Sequence, residues 1–174
     1  MKKSFLFLAL FAAFAMILGS CSKDKDSASN NGGGGSGTNY GTITFDNQSF
    51  TISHSGYTVD YDEDLDADIV GIGLATADDQ KGAAIAIPFY STVPTGQFTI
   101  TISETPEQGD GGLAIVLDSN PAYVATEGTI TINQNGDNYT IDASGSTLPI
   151  LGGGDAKSFT LHFTGPLPYY EDEN

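Results

Sequence analysis

The chain contains a single cysteine, Cys21, so no disulfide can form within it. It has no tryptophan, the residue that most often supplies a flat stacking face for sugars. It has no arginine either, and from Tyr40 onward only Lys81 and Lys157 stand against twenty acidic residues, a net charge of −18. A field of that sign repels nucleic acid and anionic lipid headgroups. A nucleic-acid role is excluded, and so is membrane docking through a basic patch. No segment after the first twenty residues repeats apolar side chains at i, i+3 and i+4, which argues against helices. No nucleophile elbow, metalloprotease helix or phosphate-cradling loop occurs. Gly152-Gly153-Gly154 follows the apolar Leu148-Pro149-Ile150-Leu151 stretch but opens no helix, and it reads as a flexible loop.

What is present begins with a leader. Lys2 and Lys3 precede an uncharged apolar run from Phe5 to Leu18, and the small residues Gly19 and Ser20 follow. This is the layout of a secretory signal peptide over residues 1–20. The run is shorter than the ~20 residues that span a bilayer as a helix. Leu18-Gly19-Ser20-Cys21 resembles the lipobox of bacterial lipoproteins. The resemblance implies that the Cys21 thiol is acylated and becomes the mature N-terminus. Each buried methylene contributes about 0.8 kcal/mol, so two or three acyl chains anchor stably where one does not. The lipid on Cys21 is then the only membrane contact.

Ser22 to Asn39 is rich in Ser, Asn and Gly and reads, with Cys21, as a flexible tether over residues 21–39. Its r.m.s. span is roughly 20–25 Å. Cys21-Ser22-Lys23-Asp24-Lys25-Asp26 resembles the start of mature surface lipoproteins of the Bacteroidetes, in which Lys and acidic residues after the lipidated Cys direct export. Here Lys25 interrupts the acidic pair. The resemblance implies attachment to the outer membrane, on its extracellular face.

Residues 40–174 form the folded domain. Apolar residues alternate through Ile43/Phe45, Phe50/Ile52, Tyr57/Val59/Tyr61, Val70/Ile72/Leu74, Ile85/Ile87/Phe89 and Phe98/Ile100/Ile102. The pattern continues through Leu113/Ile115/Leu117, Ile130/Ile132, Tyr139/Ile141 and Phe159/Leu161/Phe163. Period two puts one face of each strand in a core and the other in water. Turn signals separate the runs, with Asn135-Gly136 the strongest. The expected fold is all-β: an antiparallel sandwich or partly open barrel of about ten short strands, much of it a meander. The order of elements, closing on Phe163-Thr164-Gly165-Pro166-Leu167, resembles small Bacteroidetes lipoproteins and brings no activity with it.

The most unusual segment is Asp60-Tyr61-Asp62-Glu63-Asp64-Leu65-Asp66-Ala67-Asp68. In a regular strand its five aspartates would line one face about 6.6–6.8 Å apart, and Asp is a poor strand former. A loop between the Tyr57–Tyr61 and Ile69–Leu74 strands is expected instead. Its first reading is a solvated acidic loop. Its second is a low-affinity Ca²⁺ site made by Asp60, Asp62, Asp64, Asp66 and Asp68, since Ca²⁺ takes six to eight oxygens. The EF-hand pattern fails, because Leu65 and Gly71 stand where Gly and Glu are required.

His54 and His162 read as lone surface histidines. Tyr40, Tyr90, Tyr123, Tyr169 and Tyr170 could stack on a glycan or sit at a sheet edge. Tyr169 to Asn174 reads as a frayed acidic tail. The expected function is a non-enzymatic binding or accessory module without cofactor, for a glycan or an envelope protein. A Ca²⁺-stabilised structural or adhesive module is the alternative, and an acid/base hydrolase the weakest reading.

Overall fold

Alternation of inward Ile, Leu, Val and Phe with outward polar residues builds one continuous sheet. The computed structural model describes residues 39–103, 105–117, 122–150 and 154–170, so Cys21, the leader and all but Asn39 of the tether lie outside the described residues. The strands are β1 (Gly41–Phe45), β2 (Gln48–Ile52), β3 (His54–Asp62), β4 (Ala67–Ala75) and β5 (Lys81–Pro88). They continue as β6 (Gly96–Ile100), β7 (Asp110–Leu117), β8 (Tyr123–Asn135), β9 (Asn138–Pro149) and β10 (Lys157–Pro166). Their order across the sheet is β2-β1-β10-β9-β8-β6-β7-β5-β4-β3. The sheet curls into a half-barrel, the partly open form of the two architectures expected. β3-β4-β5 and β8-β9-β10 are meanders of antiparallel neighbours.

Two departures from a plain meander shape the barrel. β6 runs parallel to β7, with Thr99 opposite Asp110 and Ile100 opposite Gly111. It fills the wedge that opens where β8 leaves β7 after Tyr123 and Val124 to pair with β6. The second departure is at Ser53, the one residue between β2 and β3. The strand bends there, pairs with β1 before the bend and with β4 after it, and Ser53 N–H donates to Ala75 C=O at 2.8 Å. Both outermost strands of the sheet are therefore halves of a single run.

The tail secures the remaining corner. Leu167 is buried, Ser55 Oγ donates to Pro166 C=O at 2.8 Å, and Tyr57 N–H donates to Pro168 C=O at 2.9 Å. Tyr170 N–H returns a bond to Tyr57 C=O at 2.9 Å, forming a parallel bridge beside β3. The expectation of fraying thus fails for Tyr169 and Tyr170, because β3 offers backbone partners that the linear pattern does not display. Residues 171–174 lie outside the described residues.

The core is the set expected from period two. Ile43, Ile52, Ile72, Leu74, Ile85 and Phe163 are all below 2% exposed. Burying a side chain of this kind contributes roughly 1.5–3 kcal/mol. Phe89 and Ile102, expected inside strands, lie just beyond β5 and β6 and are exposed. Phe89 has φ 71, which ends the extended run.

Turn geometry sets the registers. Asp46 and Asn47 both have positive φ, as a two-residue type I′ loop requires. In the β8–β9 hairpin Asn135 pairs with Asn138, so Gly136-Asp137 are the central residues. Gly136, at φ 61, takes the first central place of a type II′ loop. A close approach occurs where Gly128 faces Gly145, next to the irregularity between Ala125 and Glu127. A Cβ on Gly128 would stand 2.1 Å from Ser144 O, and one on Gly145 would stand 2.0 Å from Glu127 O.

Candidate functional site

The acidic segment is a tight hairpin tip. β3 runs to Asp62 and β4 starts at Ala67, so the strands extend further into it than expected and the turn is Glu63–Asp66. Backbone pairing offsets the low β-propensity of aspartate, and side-chain capping closes the turn. Asp62 Oδ1 accepts the N–H groups of Asp64 at 2.9 Å and Leu65 at 3.0 Å. Asp66 turns the chain with φ 51, a conformation that Asp tolerates better than most residues. The Tyr61 hydroxyl donates to Asp66 Oδ1, and this bond to a carboxylate holds the phenol above its usual range.

Register divides the five aspartates. Asp60 is opposite Ile69 and Asp62 opposite Ala67, whereas Tyr61 is opposite Asp68. Directly opposed residues share a face, so Asp60 and Asp62 project from one side of the sheet and Asp68 from the other. Asp64 and Asp66 lie in the turn between them. Among the described residues no three His, Cys, Asp or Glu side chains come together as a metal-binding group.

Each histidine has a carboxylate partner, which corrects the expectation of lone side chains. His54 Nδ1 lies 2.7 Å from Asp79 Oδ1, reaching from the start of β3 to the β4–β5 turn. His162 Nδ1 lies 2.7 Å from Asp142 Oδ1 across the β9–β10 pair. The second pair stands on the outer face, 60% and 55% exposed, in a shallow depression walled by Thr42, Thr131, Ser144 and Thr160. Only the register of β9 against β10 brings it together. Neither pair is fully enclosed, and each links two elements of the sheet through an imidazole Nδ1 set against a carboxylate oxygen.

The tyrosines named for stacking are mostly used in packing. Tyr40 meets Phe163 at 6.0 Å, Tyr90 meets Phe98 edge-on at 5.9 Å, and Tyr123 meets Phe45 at 4.6 Å between ring centroids. The Tyr170 ring covers Gly56, whose Cβ would stand 1.9 Å from Tyr170 Cε2. Tyr169 packs on Tyr57 at 5.2 Å yet remains 49% exposed. Tyr61, expected to alternate inward in its strand and not named for stacking, is 59% exposed at the acidic tip.

The two lysines of the domain are both engaged. Lys157 Nζ lies 2.8 Å from Asp46 Oδ2, which holds the ammonium above its usual range. Lys81 Nζ lies 5.1 Å from the centroid of the Phe50 ring, a cation–π distance. Beside it, Asp78 accepts hydrogen bonds from the Thr76 hydroxyl and the Gln80 N–H, which lower its carboxyl below the ordinary 3.8. No protein-family model, curated protein or solved structure matches this chain.

Proposed function

We propose that the chain is the precursor of a lipoprotein of the outer membrane, exposed on the extracellular face. Its half-barrel is a non-enzymatic binding or accessory module for an envelope protein. One observation carries this reading: the only thiol, Cys21, directly follows an uncharged apolar run and Leu18-Gly19-Ser20, while the sheet begins only at Gly41. Lipid attachment at Cys21 then fixes the location, and the intervening residues let the domain stand away from the membrane.

The site geometry supports the non-enzymatic part. Catalytic acid–base pairs act in enclosed surroundings that exclude water and fix charge. The His162–Asp142 pair lies on open surface and the His54–Asp79 pair is only part-buried, and each joins strands or turns instead. The inward side chains of the sheet pack into one core, so a partner is met on the outer surface. A protein partner suits that surface better than a glycan, because most tyrosines that could stack on sugar are turned into packing contacts. The reading includes no cofactor.

The test is fractionation of the native envelope with the wild-type chain beside Cys21→Ala. The expected result is outer-membrane wild-type protein that external protease removes from intact cells, and a Cys21→Ala form that leaves the membrane fraction. A Cys21→Ala chain that stays with the outer membrane refutes the anchor. Wild-type protein resistant to external protease until the cells are broken refutes the surface location.

A further inference from the structure

At the end of the half-barrel where β1 and β9 begin and β10 finishes, the inward face of the sheet comes to the surface as tyrosine. Tyr139 is opposite Gly165 in the β9–β10 register and so shares its face. Gly165 leaves room there for a second ring, since a Cβ on it would stand 2.6 Å from Tyr40 Cδ1. Burial holds the Tyr139 phenol above its usual range, and the nearby Tyr57 phenol of β3 adds to the rise. The tail sets Tyr169 against Tyr57, with 5.2 Å between ring centroids. Tyr40, Tyr57 and Tyr139 are each partly buried against the core, and Tyr169 is 49% exposed. Four rings, from the approach to β1, from β3, from β9 and from the tail, thus make one collar.

A buried phenol ordinarily gives its O–H to a partner. Among the described residues no hydrogen bond joins any of these four hydroxyls to another residue, whereas the Tyr61 hydroxyl donates to Asp66. The collar therefore offers aromatic faces and unused polar tips together at the mouth of a half-barrel. That is the composition and the place in which binding sites recur.

Charge selects the occupant. The domain carries −18, and Asp137 in the β8–β9 turn and the acidic β3–β4 tip stand at this same end. Both lysines lie at the other end, at the starts of β5 and β10. An anion is repelled here and a cation drawn in. The electron-rich ring faces attract a cation further, and the phenolic oxygens accept its N–H groups. Ring angles narrow the choice. Tyr57 and Tyr169 are tilted by 52°, which makes a corner rather than the one broad face on which a sugar ring stacks. A guanidinium is planar and weakly hydrated, so it lies along one ring while its N–H groups reach past the edge. An ammonium holds its water more tightly.

We propose that the collar of Tyr40, Tyr57, Tyr139 and Tyr169 is where the protein partner is held, by an arginine side chain that the partner inserts. The inference rests on the reading of a protein partner and names the chemistry that recognises it. The acidic surface around the collar then speeds the encounter.

The test uses the full chain in neutral detergent, with its tyrosine rings labelled for NMR. The probe is a blocked pentapeptide with one arginine among glycines. The same peptide with norleucine and a neutral glucose oligomer are run beside it. The arginine peptide is expected to shift the ring signals of Tyr57, Tyr139 and Tyr169 saturably and to leave Tyr123, at the start of β8 and the opposite end, unmoved. The norleucine peptide should bind severalfold more weakly. Tyr169→Leu should weaken the arginine peptide by about fivefold, the share of one cation–π face, and Asp64→Asn at the acidic tip should change it little. Tyr139→Leu gives a second reading if Tyr169→Leu loosens the tail. No shift by any probe, equal shifts by the two peptides, or loss of binding on Asp64→Asn alone overturns the proposal and leaves the protein partner to the rest of the surface. Saturable shifts of the same rings by the glucose oligomer, with none by the arginine peptide, would overturn both the proposal and the protein-partner reading.

Discussion

Substituting Gly56 by alanine sets two physical effects against each other, and Tyr170 decides which prevails. In a strand, alanine in place of glycine is ordinarily stabilising by about 0.5–1 kcal/mol, because glycine loses more backbone freedom on folding. At Gly56 the new methyl would stand 1.9 Å from the Tyr170 ring. The ring must leave, and with it go the Tyr170 N–H bond to Tyr57 C=O and the Tyr170 cover over β3. One such hydrogen bond contributes about 1 kcal/mol and the lost ring contact about another. Gly56→Ala should therefore destabilise the protein by about 1 kcal/mol, lowering Tm by about 4 °C for a domain of this size. In a Tyr170→Ala background the ring clash is gone and only the Pro168 carbonyl oxygen, 3.2 Å from the new methyl, must give by a few tenths of an ångström, so the same substitution should stabilise by about 0.5 kcal/mol. Urea unfolding of the four proteins closes the cycle, and its coupling energy should be about 1.5 kcal/mol. Carboxypeptidase should meanwhile release the tail of Gly56→Ala faster than that of the wild type. A Gly56→Ala effect of the same sign and size in both backgrounds would refute the role given to the tail.

Gly128→Ala should cost about 3 kcal/mol or prevent folding, since φ 139 and the 2.1 Å approach to Ser144 O both oppose a side chain; expression and circular dichroism check it. Asp62→Ala should lower stability by about 1–2 kcal/mol through loss of its two backbone N–H bonds, and chelator or millimolar Ca²⁺ should leave the wild-type melting temperature unchanged. The folded Lys157 ammonium titrates above its ordinary 10.5, so its contribution is full below that pH and is lost as pH rises through the folded value. Lys157→Met should therefore flatten the alkaline arm of the stability profile. The folded Asp78 carboxyl titrates below 3.8, so its contribution is present above that pH and is lost as pH falls through the folded value. Asp78→Asn should weaken the acid arm below about pH 4 in urea titrations.

Period two made the ten strands and their inward residues legible, because one chain supplies that signal locally. What escaped depends on which strands meet. His162 and Asp142 are twenty positions apart and become partners only through the β9–β10 register. Asp60 and Asp68 looked like one array of ligands, yet the pairing of Tyr61 with Asp68 sends them to opposite faces. The strand β6 was visible, but its parallel seat between β7 and β8 was not, since a short apolar run does not encode its direction relative to neighbours. Glycines and alanines between the large residues of β4 and β5 read as ordinary spacers. Only their low exposure reveals a second apolar face.

The bend at Ser53 has a consequence for how copies of this chain meet when they are crowded together. Lateral growth from one molecule to the next needs a long run of unclaimed backbone groups. Here the two margins of the sheet are consecutive stretches of one strand, five and nine residues long, turned in different directions. The tail already engages Tyr57 in the longer one. Crowding therefore brings copies close without offering them a straight margin on which to zip together. The same corner that joins the two margins of the half-barrel denies neighbours a straight edge to extend.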